Sequence, residues 1–156
     1  MQNPIELTRR RLPDERKGFI HRFQIEGGHK GYITVGIYED GTPGELFIVM
    51  SKGGSTLSGL MDTIAVSVSM LLQHGVPLKL LVKKFANTRF EPFGQTSNLC
   101  IPEATSISDY IFRWLGMKFL SLEELTEIGV LTKCHQCEKV IVGENTSYTC
   151  IACLSH

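Results

Sequence analysis

The sequence has no excess of charge of either sign: 16 Lys and Arg stand against 16 Asp and Glu, for a formal net charge of zero. Bulk electrostatic attraction to nucleic acid or an anionic membrane needs a basic excess, so neither is expected, although a local basic patch is not excluded. Long apolar runs are also missing. The nearest, Leu57 to Leu72, is broken by Ser58, Asp62, Thr63, Ser67 and Ser69, and no stretch is expected to span a membrane. The opening MQNPIELTRRRLPDERKG lacks the apolar core of a signal peptide, so the expected compartment is the cytoplasm, where structural disulfides are rare. There is no G-x-G-x-x-G and no Lys-Ser/Thr ending of a P-loop. His21, His29 and His74 are scattered, and no Ser-His-Asp, paired-carboxylate or His-cluster spacing is recognisable. Cysteine is nearly absent before residue 134: Cys100 alone, in an apolar setting, reads as a packed core thiol.

What remains is enough for a folded body. The 156 residues are 42% apolar, with 8 Phe, 4 Tyr and 1 Trp, which suits one domain of ordinary size with a short appendage. Residues 1–16 are polar, with TRRR at 8–11 and DER at 14–16. They read as a flexible arm, with contact to phosphate or an acidic partner as the sharper alternative. FIHRFQI, YITVGIY and ELFIVMS are β-branched and aromatic runs separated by GGHKG and EDGTPG. They predict a three-stranded antiparallel meander over about residues 18–51, whose apolar face needs a cover.

Three to four helices are expected to supply that cover. Leu57, Leu60, Met61, Ile64, Ala65, Val68, Leu71 and Leu72 follow helical steps, with Ser55 or Thr56 as N-cap and Gly75 as stop. A second helix carries Leu78, Leu81, Val82 and Phe85. A third places Ile107, Tyr110, Ile111, Trp114 and Leu115 on one stripe, with Trp114 in the core and an Asp109–Arg113 pair on the solvent side. In SLEELTEIGV, Ser121 and Glu124 are spaced as a capping box. The fold class is therefore α+β, over residues 17–130.

The last residues, 131–156, hold the most specific spacing. Cys134-x-x-Cys137 and Cys150-x-x-Cys153 are twelve residues apart, and the segment between them reads as a hairpin. Four thiolates in this arrangement make a zinc ribbon with a structural Zn²⁺. A redox dithiol is the second reading, because Cys-x-x-Cys also lowers thiol pKa and exchanges disulfides. Glu138 and Leu154 stand where a knuckle often has Gly, and His135 and His156 read as bystanders. The stretch SKGGST before the first helix offers a candidate anion or nucleotide contact at Gly53, Gly54 and Ser55, with a simple turn and cap as the plainer reading.

The strings RLPDERKGFIHRFQI, GHKGYITVGIYEDGTPGELFIVMSKGGSTLSGLMD, LVKKFANTRFEPFG and SISDYIFRWLGMKFL resemble the TSCPD domain, the C-terminal accessory domain of vitamin B12-dependent (class II) ribonucleoside-diphosphate reductases. The resemblance runs from about Arg11 to Leu120. It implies a role in deoxyribonucleotide supply for DNA synthesis, and in that family a cysteine-rich tail passes reducing equivalents to the active site or binds metal. The family's catalytic barrel, with its radical-forming cysteine and reducible cysteine pair, has no counterpart in 156 residues. The tail also ends in Cys153-Leu154-Ser155-His156, where the family commonly continues with Gly and a further Cys. The expectation is a freestanding relative, inactive alone. It would dock on, reduce or regulate a class II catalytic chain that holds adenosylcobalamin. The alternative is a non-enzymatic zinc-ribbon module that binds nucleotide or nucleic acid.

Overall fold

A computed structural model describes residues 7–52, 54–130, 143–144 and 147–148. Three strands, β1 (Gly18–Ile25), β2 (His29–Ile37) and β3 (Pro43–Met50), form one antiparallel sheet in the order β1-β2-β3. The β1–β2 turn passes through Gly27 and Gly28 at φ +83° and +79°, a region open to glycine at little cost. The meander expected over residues 18–51 is present. Helices follow as α1 (Thr56–Gln73), α2 (Leu78–Phe85), α3 (Ile107–Phe119) and α4 (Leu122–Glu127). A two-residue pair, β4 (Gly94–Gln95) with β5 (Glu103–Ala104), lies in the loop between α2 and α3. A second, β6 (Gly143–Glu144) with β7 (Ser147–Tyr148), is antiparallel with Gly143 opposite Tyr148.

The chain divides into two compact units, Met1–His21 with Tyr32–Pro77 and Arg22–Gly31 with Leu78–His156. In the first unit α1 packs along β3. Alternation along the strands points Ile33, Val35, Leu46, Ile48 and Met50 inward, where they bury with Met61, Ala65 and Val68 of α1. Ser69 ties the two elements together: its Oγ accepts from the Leu46 N–H at 2.8 Å and donates to the Ala65 carbonyl at 2.8 Å. Ser55 caps α1, accepting from the Ser58 N–H at 3.1 Å.

The helix departs from expectation in two ways. Leu60 and Leu71 belong to its apolar stripe, yet Leu60 is 56% and Leu71 38% exposed. The apolar residues of the helix span a wide arc, so spacing alone does not reveal which part of it the sheet takes. It is also 18 residues long and apolar enough, by length and composition, to cross a membrane, although its serines and threonines argue otherwise in the sequence. Thr63 donates to the Gly59 carbonyl at 2.9 Å and Ser67 to the Thr63 carbonyl at 2.8 Å, so these hydroxyls are satisfied inside the helix.

In the second unit α2 packs on α3. The helices approach closely at Gly116, where a Cβ would lie 3.0 Å from Leu125 Cδ2 and 3.1 Å from Val82 Cγ1. Tyr110 and Phe23 are fully buried with ring centroids 5.4 Å apart, and Phe112 meets Phe85 at 5.0 Å. Trp114, Ile111 and Leu115 are buried as their stripe predicts. Ser121 and Glu124 form the expected capping box on α4. Asp109 corrects the expectation of a solvent-side charge pair. It is 1% exposed, while Arg113 reaches its Oδ2 at 3.5 Å and donates to the Glu103 carbonyl at 2.9 Å.

Candidate functional site

Residues 9–16, read from sequence as part of a flexible polar arm, are strapped along the first unit. The Arg10 N–H donates to the Gln73 carbonyl at 2.8 Å, and Arg9 Nε donates to Gln73 Oε1 at 2.6 Å. Gln73 is 5% exposed at the end of α1, and its Nε2 donates to the Gly44 carbonyl at 3.0 Å. Tyr38 donates its hydroxyl to the Arg10 carbonyl at 2.7 Å, and the Arg10 guanidinium sits 3.7 Å over the Tyr38 ring centroid, a cation–π contact. Arg10 also pairs with Asp40 at 3.0 Å. Arg16 grips Glu45 with two donors, Nε and Nη2, the second at 2.8 Å, the bidentate fork arginine is suited to. The glutamate needs Gly36 opposite it, because a Cβ there would run into the Glu45 side chain.

A cleft of about 510 Å³ opens beside this strap, lined by Pro13, Glu15, Arg16, Lys17, Ile37, Tyr38 and Glu39. Its electrostatics follow from the strap. Hydrogen bonding to Glu45 raises the Arg16 pKa, and burial raises that of Tyr38 against the pull of Arg10. The Thr42 hydroxyl and N–H, followed by Arg10, hold the Asp40 carboxyl down to about 2. The lining charges are of both signs, and Arg16 is already paired.

Of the residues singled out from sequence, Gly54 and Ser55 lie at the start of α1. Gly54 takes φ +76°, and the Ser55 hydroxyl is occupied as the cap. Gly53 lies outside the described residues, as do Cys134, Cys137, Cys150 and Cys153. Among the described residues no cluster of three or more His, Cys, Asp or Glu is placed to hold a metal. Cys100 is buried, as its apolar setting predicts, with its N–H donating to Asn98 Oδ1 at 2.9 Å. Gln73, Glu45 and Asp109 were missed as organising residues. Their partners lie 64, 29 and 22 positions away, and no local period reveals such pairings.

A strapped sheet with one long covering helix, and then a helical unit with a braced loop, make an α+β combination of elements. The TSCPD domain family model matches residues 6–119, and the chain belongs to the TSCPD domain family. A vitamin B12-dependent ribonucleotide reductase of Rhodopirellula baltica is 54% identical over 113 residues, which are 72% of this chain and 11% of that protein. Proteins of the same description from Streptomyces avermitilis and Bradyrhizobium diazoefficiens are 48% identical over 123 residues and 44% over 125. Those stretches cover 79% and 80% of this chain, but 13% and 10% of the relatives. The chain thus spans a small fraction of the curated relatives it matches. No solved structure is significantly similar to it.

Proposed function

We propose that the chain serves vitamin B12-dependent ribonucleotide reduction as an accessory domain. It docks on, reduces or regulates a class II catalytic chain, which binds adenosylcobalamin and converts ribonucleotides to deoxyribonucleotides for DNA synthesis. The observation that carries this reading is the 54% identity confined to 11% of a reductase: the likeness is strong, and it falls on a small region of a large enzyme. The described residues of this chain contribute the contact surface.

In this reading the tail, residues 131–156, is a separate element following the body. Cys134, Cys137, Cys150 and Cys153 bind one structural zinc through four thiolates. Should the pairs instead cycle between dithiol and disulfide, the tail would carry reducing equivalents to the catalytic chain. Gly53, Gly54 and Ser55 remain a candidate anion contact with the first turn of α1, and the place of action is the cytoplasm. Sedimentation velocity of the intact chain mixed with the B12-dependent reductase catalytic chain of its own genome tests the association. Co-migration is the expected result, and independent sedimentation at micromolar concentrations would remove the proposal.

A further inference from the structure

We infer that the end of α2 and the loop after it form a docking surface for an acidic protein segment that also carries apolar side chains. Residues 78–95 hold Lys79, Lys83, Lys84 and Arg89 against a single acid, Glu91. Lys79 is paired with Glu127. Lys83, Lys84 and Arg89 are exposed and make no ion pair among the described residues. Large apolar groups stand in water beside them: Leu80 is 55%, Phe85 37% and Phe90 41% exposed. Leu80, Lys83 and Lys84 share one face of α2, the lysines lying three and four residues beyond the leucine. Thr88 Oγ1 donates to the Phe85 carbonyl at 2.9 Å, so the chain turns at the helix end and Arg89 and Phe90 follow close to Phe85. The backbone is held on both sides of Arg89. The Phe90 N–H donates to the Thr105 carbonyl at 3.2 Å, the Thr88 carbonyl accepts from Thr105 Oγ1 at 2.8 Å, and the Asn87 N–H donates to Asp109 at 2.6 Å. A loop braced in this way presents its side chains already ordered, which lowers the entropic cost of binding.

Charge names the occupant. Cations around apolar groups are complemented by a partner with carboxylates around apolar anchors. Elsewhere, exposed apolar groups and cations do not cluster in this way. The one charged residue of α1 is Asp62, that of β3 is Glu45, already held by Arg16, and β1 and β2 carry one cation each, Arg22 and Lys30. Single-stranded nucleic acid also pairs cations with rings, but the chain has no net positive charge, Glu91 follows Phe90 directly, and Leu80 offers no ring for a base. A backbone of evenly spaced phosphates meets that carboxylate, whereas a protein segment can place its acids elsewhere. The chain's own residues 131–156 have Lys133 and Lys139 against Glu138 and Glu144, and so no acidic excess to offer. The inference is independent of the reductase reading, because the surface's own charge and exposed apolar groups specify what it takes.

Fluorescence polarisation of the intact chain tests it, with a labelled peptide in which glutamates alternate with phenylalanine and leucine. The controls are the same peptide with lysine in place of glutamate, a glutamate–serine peptide, and labelled oligothymidylate. The acidic apolar peptide should bind, and each control should bind at least about tenfold more weakly. Lys83→Glu/Lys84→Glu should weaken peptide binding by at least about tenfold, and Phe90→Ser by about fivefold. Arg11→Glu, which reverses an exposed cation of the first unit, should bind as wild type. All substituted positions are exposed, and circular dichroism checks that each variant keeps its fold. Absence of peptide binding by the wild-type chain, or unchanged binding by the folded Lys83/Lys84 and Phe90 variants, would overturn the assignment. So would an equal loss with Arg11→Glu, since the attraction would then be unlocalised. Tighter binding of oligothymidylate, or a wild-type dimer that the Lys83/Lys84 variant dissociates, would overturn it in favour of nucleic acid or a second copy.

Discussion

The buried carboxylate of Asp109 accepts the backbone N–H of Asn87 at 2.6 Å, and its other oxygen accepts the N–H of Thr105 at 3.0 Å. One side chain therefore holds both ends of the loop that joins α2 to α3. Asn87 takes φ +64° there, a left-handed conformation asparagine tolerates better than most residues. Replacing Asp109 with Ala strands two N–H groups and leaves Arg113 without its carboxylate. The expected cost is about 3–5 kcal/mol by urea unfolding, the range for breaking a buried charged network. Asp109→Asn keeps one acceptor and should fall between. A loss below about 1 kcal/mol for Asp109→Ala would show that the carboxylate does not hold the loop.

The core assignment separates two apolar residues that look alike in sequence. Ile111 is 1% exposed and Leu60 56%. Ile111→Ala should destabilise the fold by roughly 2–5 kcal/mol, whereas Leu60→Ala should change it by no more than about 0.5 kcal/mol. Equal losses at the two positions would contradict the placement of α1.

These two residues also mark how far the sequence is legible. The strands and helices could be read because alternation, helical spacing and the serine caps are local signals. Asp109 was misplaced because a charge beside an apolar stripe is ordinarily on the water side, and only the returning loop backbone makes its burial favourable. Leu60 was misplaced because the apolar residues of α1 span too wide an arc to declare which part of it the sheet covers. The β4 and β5 strands are two residues each, too short for a period. The strap depends on Arg9 meeting Gln73 and Arg16 meeting Glu45, residues far apart in sequence. The tail's spacing is plain in sequence, but its four cysteines lie outside the described residues.

Tyr110 predicts an alkaline limit to stability. Burial, opposed by the hydrogen bond from Asn98 Nδ2 at 3.0 Å, pushes its pKa up from 10.0 to about 12. Between those values the unfolded chain releases the phenolic proton while the folded chain retains it. The folded state then binds more protons, so stability falls as pH rises through this window. Tyr110→Phe should flatten the decline in urea midpoint between pH 10 and 12. A slope identical to wild type would rule out Tyr110 as its source.

Under the zinc reading of the tail, the chain purified under reducing conditions should carry about one zinc, the count for a four-thiolate site. Cys134→Ser or Cys150→Ser should lose the metal while the melting of residues 17–130 is unchanged. Metal-free protein that forms a reversible disulfide would instead establish the redox reading.

Deoxyribonucleotide formation tests the central claim most directly. The intact chain, supplied with ribonucleotide, adenosylcobalamin and dithiothreitol, should form no product. The catalytic chain should change its rate when the wild-type chain is added, and by less when the added chain carries Cys134→Ser and Cys150→Ser. Product from the isolated chain, or a catalytic rate indifferent to its presence, would contradict an accessory role in ribonucleotide reduction.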